Sequence, residues 1–134
     1  MLLLAAHQRM VQLFDLELAI DGVEPDGFAA LSLIGVRGSI RLTQLSEEIG
    51  VPLTTASDVV RRLEARGHVR RRPNPEDGRS FLFELTARGD REWRRGWGAL
   101  QRINEALAER IDEPATRSAL EALNHAFARA LTDD

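Results

Sequence analysis

Residues 70–89 read Arg70-Arg71-Arg72-Pro73-Asn74-Pro75-Glu76-Asp77-Gly78-Arg79-Ser80-Phe81-Leu82-Phe83-Glu84-Leu85-Thr86-Ala87-Arg88-Gly89. Three arginines run into a segment of turn formers, Pro73 to Gly78. Arg79 follows, then a short alternating apolar run. This pattern predicts two strands, Val69 to Arg72 and Phe81 to Leu85, around a basic loop. Gly78 is expected to permit the tight turn and Asp77 to shape it. Upstream, Gly50-Val51-Pro52 separates two short helical patterns. Thr43 reads as the N-cap of a helix that ends at Ile49 and is closed by Gly50. Pro52 or Leu53 opens the next helix, which runs to Arg66 and stops at Gly67. Helix, turn, helix and basic hairpin is the order of a winged helix-turn-helix.

The second of these helices has the pattern of a groove reader. Ala56, Val59, Val60 and Leu63 recur at i, i+3, i+4 and i+7 and form its inward face. At about 100° per residue, Thr54, Asp58 and Arg61 point the opposite way, flanked by Thr55, Ser57 and Arg62. Small hydroxyls and free amides at a helix start suit phosphate, and Arg61 or Arg62 suits guanine N7 and O6. Asp58 either accepts from cytosine N4 or holds one of these arginines across a turn. Arg72 and Arg79 complete the expected DNA-binding set, Arg79 projecting from the hairpin toward a narrow minor groove.

Charge distribution agrees with that reading. The 134 residues carry a net charge of −3, yet residues 37–97 hold 13 Arg and 9 acidic residues, a balance of +4. The remainder is acidic by −7. A basic middle between acidic ends is a footprint for a polyanion, here double-stranded DNA. All 18 basic residues are Arg.

The outer segments are apolar beyond the needs of a small core. Residues 2–20 carry apolar side chains around much of a helix. A second helix is expected over about 26–36, with Phe28, Leu31 and Ile34 inward, and Ser39 to Leu42 as a short strand. From Ala87 toward Ile111, Trp93, Trp97, Leu100, Ile103, Leu107 and Ile111 recur at helical spacing. Gly96 and Gly98 weaken the middle of that helix, or mark a bend or a close approach. Asp112-Glu113-Pro114 breaks the pattern, and Leu120, Leu123, Phe127 and Leu131 share one stripe of a last helix. Pairing of two copies would bury these faces. The expected fold is mainly α with a small β-hairpin: a winged helix-turn-helix with added N- and C-terminal dimerisation helices. It is one domain, 1–134, with 1–24 and 100–134 mainly for dimerisation and 37–97 as the DNA-binding lobe.

With these residues in view, the chain resembles the MarR (multiple antibiotic resistance regulator) family of bacterial transcription factors. The resemblance covers nearly the whole chain. It rests on Leu42-Thr43-Gln44-Leu45-Ser46, Thr54-Thr55-Ala56-Ser57 and Arg62-Leu63-Glu64-Ala65-Arg66-Gly67. It continues through Asp77-Gly78-Arg79-Ser80 and Leu85-Thr86-Ala87-Arg88-Gly89. It implies a homodimer that binds palindromic operators, more often as a repressor, and releases them when a small organic effector binds. The family's wing arginine falls on Arg79 and its wing acid on Asp77. Asp58 departs from the family, which often carries a basic or polar residue there. Effector pockets in the family lie between dimerisation helices and lobe, which makes Met10, Phe14, Phe28, Trp93 and Trp97 the candidate lining.

Other classes find little support. No nucleophile–base spacing, phosphate-cradling loop or paired carboxylate set indicates an enzyme. His7, His68 and His125 are scattered and make no metal-ligand pattern, and no cofactor is expected. The absence of cysteine excludes disulfides and thiol switching. Met1 to Ala6 lacks the basic leader of a signal peptide, no stretch approaches a membrane span, and a cytoplasmic location is expected. The rival reading is a dimeric winged-helix interaction module with weak or lost DNA binding, consistent with Asp58 and the acidic total.

Overall fold

The computed structural model describes residues 1–132. The helices are α1 (Leu2–Ile20), α2 (Phe28–Arg37), α3 (Leu42–Ile49), α4 (Leu53–Ala65), α5 (Ala87–Ala108) and α6 (Glu113–Thr132). The strands are β1 (Ser39–Arg41), β2 (Val69–Asn74) and β3 (Asp77–Leu85), which form one antiparallel sheet in the order β1-β3-β2. Asp133 and Asp134, the end of the expected 100–134 segment, lie outside the described residues.

The core is where the short elements meet. Leu31 and Ile34 of α2, Leu45 of α3 and Val60 and Leu63 of α4 are buried together with Ile40, Val69 and Phe83 from the three strands. Leu18 of α1 and Ala99 of α5 close it from the side of the long helices. The periodicity of α4 is obeyed: Ala56, Val60 and Leu63 are buried and Val59 packs half-buried beside them.

Two close approaches fix α5 on this core. A methyl group on Gly96 would overlap the Phe28 ring, and one on Gly35 would come within 2.5 Å of the Trp93 indole. The glycines are flat seats for aromatic rings, so Gly96 marks a close helix approach. At the root of the hairpin, Thr86 Oγ1 accepts from the Gly89 amide at 3.0 Å and donates to the Gly67 carbonyl at 2.6 Å. The Thr86 amide donates to the His68 carbonyl at 3.0 Å, and any side chain on Gly89 would overlap that same carbonyl. Leu85-Thr86-Ala87-Arg88-Gly89 is thus a clamp that turns the end of β3 into the start of α5.

Three local expectations are corrected. The helix after β1 starts at Leu42, not after Thr43, because Gln44 Oε1 accepts the Arg41 amide (3.3 Å) and sets the first turn two residues earlier. Gly78 is not the turn residue: the hairpin reverses at Pro75-Glu76, and Gly78 lies inside β3 without a positive φ. Both strands consequently extend further toward the tip than the apolar alternation indicates.

Candidate nucleic-acid interface

α4 and the β2–β3 hairpin enclose a groove of about 640 Å³. Its walls include Thr43 of α3, Ser57 and Arg61 of α4, and Arg71, Asp77 and Ser80 of the hairpin, with Arg41 at the end of β1. Thr54, Thr55, Asp58, Arg61 and Arg62 are exposed along α4, and Ser57 is half-buried at the groove wall. The helix therefore presents hydroxyls at its start and guanidinium groups one to two turns on.

The hairpin tip is held by side chains. Asn74 is buried, with 3% of its surface exposed. Its Nδ2 donates to Ser80 Oγ at 3.0 Å, and its Oδ1 accepts the Glu76 amide at 3.1 Å. This bond from a side chain to the amide two residues on is an Asx turn. Asp77 Oδ1 accepts the Arg79 amide at 3.1 Å. The Arg79 guanidinium stands exposed with no ion pair among the described residues.

The arginines divide by strand alternation. Arg70 and Arg72 share the sheet face of Glu84, which they hold at 2.7 and 3.0 Å. The hydrogen bond from Arg72, joined by that from Arg70, lowers the Glu84 pKa. Arg71 points the other way, toward α4. It grips Glu64 with two bonds of 2.6 and 2.8 Å and lies over the rings of Phe81 and Phe83. Of the three hairpin arginines Arg71 lines the groove wall, while Arg72 stands on the opposite sheet face beside Glu84, because a period of two puts neighbours on opposite faces. That rule was available from the sequence and singles out Arg71. Arg41 and Asn74 carried no comparable signal.

On α4 the two outward arginines are both engaged. Arg61 Nη1 lies 3.4 Å from Asp58 Oδ1, one turn back and exposed. Arg62 makes a forked pair with Asp26, Nε to Oδ2 at 3.0 Å and Nη2 to Oδ1 at 3.1 Å. Arg66 also reaches Asp26 Oδ2 at 3.3 Å and Glu24 at 3.0 Å. The bond from Arg62 holds the Asp26 carboxyl below its ordinary value.

A second cavity of about 380 Å³ lies among α1, α2 and α5. Met10, Phe14 and Phe28 line it, with Leu18, Ser32 and Leu100. Trp93 and Trp97 do not. Trp93 is seated on Gly35, and Trp97 meets it edge to face at 5.9 Å on the outer side of α5 with 42% of its surface exposed. Among the described residues no cluster could hold a metal ion, and no helix is long and apolar enough to cross a membrane.

The MarR family model matches residues 24–81, from the α1–α2 loop to the second strand of the hairpin. No curated protein matches the chain. Among solved structures, a probable transcriptional regulator from Pseudomonas aeruginosa is 32% identical, with 91% of this chain and 93% of that one covered and a TM-score of 0.79. The Mycobacterium tuberculosis transcriptional regulator MosR, solved in complex with DNA, is 23% identical over 94% of this chain and 92% of its own, with a TM-score of 0.80. NadR, solved with 4-hydroxyphenylacetate, is 18% identical over 92% and 87%, with a TM-score of 0.76. Family model, helix order, clamp and groove agree, and the chain belongs to the MarR family of winged-helix transcriptional regulators.

Proposed function

We propose that this regulator binds palindromic operator DNA as a homodimer, acts as a repressor in the cytoplasm, and is released by a small organic effector. The observation that carries DNA binding is the groove between α4 and the hairpin, with Thr54, Thr55, Ser57 and Arg61 on one side and exposed Arg79 beyond the other. α4 would enter the major groove while Arg79 follows the backbone into the adjacent minor groove. Thr43 and Arg41 would sit against phosphate, while the fork to Glu64 keeps Arg71 as part of the groove wall.

Homodimerisation is supported by the outer helices. α6 spans Glu113–Thr132 and buries no residue. Leu120, Leu123, Phe127 and Leu131 are exposed along it, as are Leu2, Leu4, Leu16 and Ile20 of α1. Such faces require a partner, and a two-fold pair of this chain covers both at once. Segments 1–24 and 100–134 then serve mainly in dimerisation, and 37–97 forms the reading lobe. The effector site we assign is the apolar cavity behind Met10, Phe14 and Phe28, where Ser32 Oγ is buried without a partner among the described residues.

The rival, an interaction module with weak DNA binding, draws on the carboxylates that engage Arg61 and Arg62. Titration of labelled duplexes at several salt concentrations separates the two. A DNA reader prefers particular sequences and weakens steeply with salt, because its arginines displace counterions. Weak binding alike on every duplex supports the module.

A further inference from the structure

The α1–α2 loop puts a carboxylate where the reading helix has its second arginine. With Ala56, Val60 and Leu63 buried, the outward direction of α4 runs between Arg61 and Arg62, about 50° from each at 100° per residue. Arg61 lies on the groove side, with Ser57 and Glu64. Arg62 lies on the far flank, toward the loop.

The two arginines are held very differently. Asp58 meets Arg61 through one 3.4 Å contact, and both side chains are well exposed. A phosphate or a guanine displaces such a pair readily. Asp26 and Arg62 are about half exposed, 50% and 48%, but meet in a two-bond fork, the strongest geometry open to guanidinium and carboxylate. The loop is tied to α4 at further points. Its Gly27 packs against Leu63 and Val59, the backbone carbonyl of Asp26 accepts from Arg66 Nη1 at 3.2 Å, and Glu24 takes Arg66 as well.

We propose that Asp26 is a specificity-determining residue that withholds Arg62, and in part Arg66, from DNA phosphate. This rests on the DNA-binding reading above. Withholding two cations from each copy lowers affinity for every duplex alike. Discrimination is then left to Arg61 and the wing, whose contacts depend on register. Asp26 acts through Arg62 and touches no base.

The test compares the full-length protein with Asp26→Asn, Arg62→Gln and the double variant, on a fluorescent duplex of random sequence across a salt series. Asp26→Asn is expected to bind several-fold more tightly. Its slope of log K against log salt steepens by about 0.9 for each arginine freed to reach a phosphate. Arg62→Gln alone leaves the slope unchanged, and the double variant keeps only the share gained through Arg66. The Arg62 Nε–H resonance gives an independent readout: slowly exchanging in the wild type with and without DNA, and released in Asp26→Asn. Asp26→Ser serves should the asparagine variant melt early. An unaltered slope in both Asp26 variants overturns the proposal, and so does a loss of about 0.9 in Arg62→Gln, which would place Arg62 on phosphate already. If neither wild type nor variant binds any duplex, the DNA-binding reading falls with it; wild-type binding with an unchanged Asp26 variant removes the role of Asp26 alone.

Discussion

The Cε2–Cζ edge of the Phe28 ring lies against Gly96, with no room for a methyl group between them. α2 and α5 therefore cross at a distance set by a missing side chain. Gly96→Ala should cost about 1–3 kcal/mol through forced displacement of the ring. Gly98, two residues on, has only the Arg102 guanidinium at 3.4 Å and the Asp21 carboxylate at 3.6 Å near a built Cβ, both at ordinary van der Waals distance. Gly98→Ala should add about 0.5–1 kcal/mol by helix propensity. Urea denaturation of the two variants tests the opposite signs; equal losses would remove Phe28 as the spacer.

Arg79 carries the wing contact. Arg79→Ala should weaken specific binding about tenfold and reduce the salt slope by about one per subunit that loses a phosphate-proximal charge. Anisotropy at physiological salt measures both. An unchanged affinity would show that the wing stays off the DNA.

His68 sits at the hairpin root, where burial, ahead of the neighbouring charges, lowers its pKa from 6.5. The unfolded chain binds this proton first as pH falls, so stability declines below about pH 6.5 until the lowered folded value is passed. His68→Gln should flatten that part of the stability profile and leave neutral pH little changed. Chemical denaturation at a series of pH values reads the difference, and an identical slope in the variant would assign the acid sensitivity to other groups.

The exposed stripe of α6 predicts its own failure mode. Phe127, 48% exposed, should lie inside the pair of subunits. Phe127→Glu is expected to shift the protein to monomer at micromolar concentration and to weaken operator binding with it. Sedimentation velocity separates the species; a wild type already monomeric there would remove the dimer.

Much of the lobe was legible because its signals are local. Gly50-Val51-Pro52 and Gly67 mark helix ends whatever else folds around them, and the i, i+4, i+7 pattern of Ala56, Val60 and Leu63 needs only one helix to be read. The tip was harder. Glycine at position 78 drew the turn toward itself, while the actual reversal at Pro75-Glu76 depends on buried Asn74 and a register shift between Pro73 and Asn74. The fate of Arg62 was out of reach, since its partner lies 36 residues earlier in a loop that folds back on α4. Trp93 and Trp97 are candidate pocket lining by sequence, although aromatics at helical spacing are more often core; Gly35 seats Trp93, and Trp97 lies beside it, 42% exposed.

Selection of bound sites from a pool of random duplexes, using purified protein shown to be paired, tests the account most directly. It predicts enrichment of an inverted repeat with half-site centres about one helical turn, or about 10 bp, apart. Recovery of a pool no different from the input would contradict it.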